Sequence, residues 1–142
     1  MGECIAYNSG YKYQLKKAYR IDISIIPKSS INTDYITLDK KGKLVIKKGY
    51  AWDGPSGPTI DTPSFMRGSL IHDVLYQLMR DGYLDHKQYR QSADVILRDI
   101  CREDGMCCIR VWWVYFFVHL FGNFAVDPSG RRPITFAPKG CI

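Results

Sequence analysis

From Tyr19 to Ile25 the residues Tyr19, Ile21, Ile23 and Ile25 alternate with Arg20, Asp22 and Ser24. That period of two belongs to a half-buried strand, and Pro27 ends it. A second strand is expected near Tyr35 to Leu38 and a third from Leu44 to Lys48. Asp39-Lys-Lys-Gly-Lys43 between them has hairpin turn chemistry. The pattern then breaks: Trp52 to Pro63 contains three prolines and two glycines, which predicts an ordered loop or hinge rather than a helix or central strand. Ser64 is expected to cap a helix from Phe65 to about Arg80, closed by Asp81-Gly82. Asp85 can cap another from His86 to about Arg102, and Gly105 separates it from a third, apolar helix. In the second helix Tyr89, Ala93, Ile96 and Ile100 form the apolar stripe, with Asp94 at its margin. The short link between the first two helices predicts an antiparallel hairpin.

The fold class expected is therefore α+β: a small N-terminal antiparallel β-sheet, a Gly/Pro loop, an antiparallel helical hairpin and a C-terminal apolar helix. With 142 residues the chain suits a single domain, 1–142. Its β-rich part is about 1–50, its loop 51–63, its helical part 64–124 and its tail 125–142. The net charge of +6 is concentrated in residues 1–50, which hold ten Lys/Arg against four Asp/Glu, whereas residues 51–142 hold ten of each. Lysines 40, 41, 43, 47 and 48 suit the protection of sheet edges, and few aromatics are interleaved for base stacking, so nucleic acid is an unlikely partner. Five cysteines, 4, 101, 107, 108 and 141, contain no CxxC and argue against a disulfide scaffold. Cys107 and Cys108 are expected to be buried thiols. The N-terminal segment reads as no signal peptide. Val111 to Val126 is sixteen residues without a formal charge, yet it is short for a bilayer span and interrupted by His119, Gly122 and Asn123. The expectation is no transmembrane span, with a buried helix or a face that contacts lipid or a partner.

Candidate chemistry concentrates in Gly68-Ser-Leu-Ile-His-Asp-Val-Leu-Tyr76. At about 100° per residue, His72 and Tyr76 share a helix face one turn apart and Asp73 points aside. Asp94, on the antiparallel neighbour, can face His72 and make a base–orienter pair, with Tyr76 donating to Asp94. Asp73 together with carbonyls of the 53–58 loop can hold a hard cation such as calcium. Plainer readings stand beside these: a structural His72–Asp94 hydrogen bond, a surface pair of Asp73 with Arg67 or Arg80, a tight turn at Asp53-Gly54 and Ser56, and structural roles for His86 and His119.

His72-Asp73-x-x-Tyr76, followed on a second helix by Ala93-Asp94, resembles the catalytic helix pair of the secretory and prokaryotic phospholipase A2 superfamily. The resemblance implies that His72 is a general base for water, Asp94 orients it, and Tyr76 belongs to the catalytic set. It also implies that Asp73 binds calcium with loop donors at Gly54, Ser56 and Gly57. A longer resemblance runs through Asp53-Gly-Pro-Ser-Gly-Pro58, Ile71-His-Asp-Val-Leu-Tyr76, Ser92-Ala-Asp94 and Val118-His-Leu-Phe-Gly122. These blocks are similar to those of the phage and prophage domain-of-unknown-function family 1353, which implies phage origin but no defined activity. Unlike the phospholipases, this chain has no bracketing disulfides, and prolines 55 and 58 stiffen the loop. The expectation is a phage- or prophage-encoded phospholipase A2-like hydrolase, with calcium as cofactor and a lipid or other ester as substrate. In that case Trp112, Trp113, Phe116 and Phe117 would line an acyl channel or form a lipid-facing surface, making peripheral membrane contact. The alternative is a non-catalytic accessory or tail-associated virion component whose partners are phage structural proteins. Either would reside in the bacterial host cytoplasm or the phage particle.

Overall fold

The computed structural model describes residues 5–7, 13–53, 62–126 and 135–137. Its strands are β1 (Ile5–Tyr7), β2 (Tyr13–Gln14), β3 (Tyr19–Asp22), β4 (Ile31–Asn32), β5 (Ile36–Leu38), β6 (Lys43–Ile46), β7 (Ala51–Trp52) and β8 (Thr135–Ala137). Its helices are α1 (Pro63–Arg80), α2 (His86–Glu103) and α3 (Cys108–Val126). The chain is thus α+β, with small antiparallel sheets at the N-terminus followed by three helices, and β8 returns after α3 to pair with β1.

The main sheet has the order β3-β6-β5-β4, antiparallel throughout, with Leu38 and Ile21 both registered on Leu44. Alternation along its strands sends Ile36, Leu38, Leu44 and Ile46 into the core and leaves Thr37 and Val45 on the other, half-exposed face. The β5–β6 turn is built by Asp39, whose Oδ1 accepts the backbone N–H of Lys41 at 2.8 Å and of Lys43 at 2.9 Å. Those donors, Lys43 first, hold its carboxyl below the ordinary range. Gly42 completes the turn at φ 84°, where a Cβ would lie 2.4 Å from the Ile23 carbonyl oxygen.

Two expectations for the β region are corrected. The first strand stops at Asp22 instead of reaching Ile25, although Ile25 is still buried. Part of the segment read as loop is paired: β7 runs antiparallel to β2. Pairings of two or three residues are too short to leave a period in the sequence, which is also why β1 with β8 was not foreseen.

Helix α1 begins two residues earlier than expected, with Thr62 rather than Ser64 at the N-cap and Pro63 in the first turn. A proline there has the right φ and no N–H to waste, so it starts the helix that it would break further along. The helix is buried almost all round because the sheet covers one side and α2 and α3 cover the other. Helix α2 starts as expected, Asp85 accepting the Lys87 N–H. Its buried stripe is wider than the spacing suggested: Ala93, Asp94, Leu97, Ile100 and Cys101 are buried, while Tyr89 and Ile96 are partly so. Asp94 is therefore inside the stripe, not at its margin, because α2 packs on α1 and α3 at once. Gly82 and Gly105, at φ 83° and 91°, close α1 and α2.

Arg67 ties these parts together. Its guanidinium holds Asp104 at 2.8 and 2.9 Å and donates to the Tyr19 hydroxyl at 2.9 Å, joining α1 to the end of α2 and the edge of the sheet. The cysteine expectation is corrected: Cys107 and Cys108 are exposed, and Cys101 is buried. The two lie at the entry to α3, ahead of its first buried turn.

Where α1 crosses α2, Gly68 has no room for a side chain; a Cβ would meet Cys101 Sγ at 2.8 Å and Leu97 Cδ1 at 3.0 Å. Gly68→Ala is expected to lower unfolding stability by about 1–3 kcal/mol through overpacking, read from urea denaturation. An unchanged midpoint would show that the helices separate freely.

Candidate active site

Because α1 and α2 run antiparallel at this close separation, His72 and Tyr76 on one face of α1 both reach Asp94. His72 Nε2 lies 2.8 Å from Asp94 Oδ1, and the Tyr76 hydroxyl donates to the same oxygen at 2.5 Å. The imidazole and phenol rings lie against each other, with centroids 3.9 Å apart. The contact with the carboxylate oxygen is made by Nε2, and Nδ1 is the ring nitrogen turned away from Asp94. Nδ1 makes no hydrogen bond among the described residues, and the imidazole retains 9% of its side-chain exposure while Asp94 has none. This is the geometry of a base held by an orienting acid.

Tyr76 stays a donor. Burial, then the charge of Asp94 and the hydrogen bond to it, push the phenol far above its usual range. The second carboxylate oxygen, Asp94 Oδ2, has no hydrogen bond among the described residues, but Arg90 Nη1 stands 3.9 Å away. The same Nη1 donates to the His119 carbonyl of α3 at 3.0 Å. Gly122 then brings α3 onto the site: a Cβ there would lie 2.3 Å from the Tyr76 hydroxyl and 2.9 Å from Arg90 Nη1.

Neither Arg90 nor the packing role of Gly122 was anticipated. The signals were present, since Arg90 is four residues before Asp94 on one helix face and Gly122 interrupts an apolar helix, a mark of close backbone approach.

Asp73 does not join the dyad. It lies on the line of α1 between Ser69 and Gln77, which bond Trp52 Nε1 at 3.3 Å and the Tyr50 hydroxyl at 2.8 Å. This line faces the β7 segment leading into the Gly/Pro loop. Asp73 is half-buried there; burial raises its carboxyl to about 6, against the lowering pull of His72 and Arg80. Arg80 thus acts on Asp73 electrostatically, while Arg67 is engaged with Asp104. The other calcium donors expected, Gly54, Ser56 and Gly57, lie outside the described residues. Among the described residues no three His, Cys, Asp or Glu side chains are grouped to hold a metal. None of their helices is long and apolar enough to cross a membrane.

Comparison of the chain with protein-family models, curated proteins and solved structures returns no match.

Tyr76→Phe removes a donor from a buried carboxylate and is expected to destabilise the fold by about 1.5–3 kcal/mol, measured by chemical denaturation; a neutral result would mean that water or Arg90 replaces the hydroxyl. Asp73 yields a pH test. Its folded pKa of about 6 exceeds the reference 3.8, so the native state binds the proton more tightly than the unfolded chain. Its contribution is therefore most favourable below about pH 4 and declines as pH rises to about 6. The stability of Asp73→Asn relative to wild type should rise across that window and then level off. A flat difference would place the carboxyl in ordinary solvent.

Proposed function

We propose that the protein is a phospholipase A2-like ester hydrolase in which His72 is the general base, with the phage origin and family membership implied by its motif blocks. The observation that supports this reading is the single carboxylate oxygen of Asp94 shared by His72 Nε2 and the Tyr76 hydroxyl, which leaves Nδ1 as the free basic nitrogen.

In the proposed reaction Nδ1 takes a proton from water as the water oxygen attacks the ester carbonyl carbon. Asp94 stabilises the imidazolium through the Nε2–H bond, and Tyr76 fixes the carboxylate without giving up its proton. Collapse of the tetrahedral intermediate expels the alcohol oxygen, which receives the proton from Nδ1. The products are a carboxylic acid and an alcohol, and the base is regenerated.

Calcium enters the proposal as a ligand of Asp73. A cation there would relieve the cost of ionising a half-buried carboxyl, and when bound it would polarise a carbonyl oxygen. Of the calcium donors expected, Asp73 alone is among the described residues, so no step is routed through the ion.

The alternative, an accessory or tail-associated virion component that works by protein contact, draws support from the near-complete burial of the dyad, with His72 8% and Asp94 0% exposed. Stable association with a phage structural protein that persists in His72→Ala would favour it.

The test is hydrolysis by purified protein of a phospholipid and of a soluble short-chain ester, each with calcium and with chelator. Wild type should turn over an ester, and His72→Asn should lose a factor of about 100 to 10,000, the range for removal of a general base. Equal turnover in wild type and His72→Asn, or none in wild type under any condition, rejects the hydrolase reading.

A further inference from the structure

Helix α3 is apolar on two opposite sides, and the protein covers one of them. Val111 and Val114 are buried and Val118 is partly so. Opposite them stand Ile109, Trp112, Trp113, Phe116 and Leu120, from 45% to 80% exposed. At about 100° per residue these five fall within an arc of about 100°, so they form one continuous stripe. Isolated exposed apolar residues are ordinary, but an aromatic stripe of this length marks a contact surface.

Charge at its borders indicates what covers it. Along one long edge the Arg98 guanidinium lies 5.2 Å from the Tyr115 ring centroid and 6.0 Å from that of Trp112. Arg98 Nε bonds Asp99, and the two terminal nitrogens make no hydrogen bond among the described residues. Along the other edge is Arg110, set over Phe65 and donating to Thr62. Helix α3 itself contains no acidic residue; of the acids nearby, Glu103 and Asp104 are drawn to Arg67 and Asp99 to Nε of Arg98. A second copy paired about a two-fold axis would oppose cationic edge to cationic edge, whichever way α3 ran. An anionic lipid surface has no such conflict: tryptophans settle at the headgroup boundary and guanidinium groups meet phosphates.

We infer that the Ile109–Leu120 face of α3 docks on an anionic bilayer surface without crossing it. The same helix touches the residues around the dyad, through Gly122 at the Tyr76 hydroxyl and His119 at Arg90. The dyad lies on the covered side of α3, opposite the docking face, and docking does not depend on the hydrolase reading.

The experiment is co-sedimentation of the full chain with phosphatidylglycerol or phosphatidylcholine vesicles, with tryptophan emission recorded alongside. Wild type should bind phosphatidylglycerol with a blue-shifted emission and phosphatidylcholine at least tenfold more weakly. Added salt should weaken binding. Phe116→Glu, at a solvent-facing position, should reduce partition at least tenfold with an unchanged circular dichroism spectrum. Arg98→Gln should reduce it about fivefold on the anionic vesicles, the contribution of one cation near such a surface. Wild type that stays in the lipid-free fraction overturns the inference. So does a dimer in light scattering that Phe116→Glu dissociates. Binding without ester turnover would leave docking standing and reject the hydrolase, whereas turnover of a soluble ester without vesicle binding would do the reverse.

Discussion

A carboxylate with no exposed surface, Asp94, sits between two helices and sets the terms for everything around it. Transfer of an ionised carboxylate from water into a protein interior costs several kcal/mol even after relaxation, so donors must converge on it. His72 and Tyr76 supply two from α1, and Arg90 supplies positive charge from α2 itself. These demands fix the rotation of α1 against α2. A turn of either helix by one residue would leave the charge buried without partners.

The glycines follow from the same constraint. Gly68 lets α1 approach α2 closely enough for the dyad to touch, and Gly122 admits the backbone of α3 against the Tyr76 hydroxyl. Glycine within a helix is unfavourable by about 1 kcal/mol relative to alanine, and here each occupies a point where a methyl group would collide. Helix α3 thereby becomes both a wall of the polar cluster and the bearer of an exposed aromatic stripe. The polar cluster and the exposed stripe are thus joined by one helix.

Local patterns were legible wherever a long element had one dominant environment. The alternation of β3, β5 and β6, the Asp39–Gly42 turn, the Asp85 cap and the breaks at Gly82 and Gly105 could all be read directly, because each depends on residues within a few positions. The ends of elements were less legible. Thr62-Pro63 looked like the finish of a loop and is the start of α1, since the sign of proline's effect depends on its position in a helix. Cys107 and Cys108 looked buried by composition, whereas exposure is decided by which turn of α3 first meets α2.

By itself the sequence determined the α+β order of elements and the spacing that sets His72, Tyr76 and Asp94 within reach of one another, because both depend on short-range periodicity and a tight interhelical link. Only the tertiary structure decided which nitrogen of His72 meets Asp94, that Arg90 and Gly122 close the cluster, and that Asp73 faces away toward β7. It also decided which half of the apolar third helix is covered. Those outcomes come from how three helices and a sheet divide a common interior, and residues far apart in the chain carry no mark of that division until they pack.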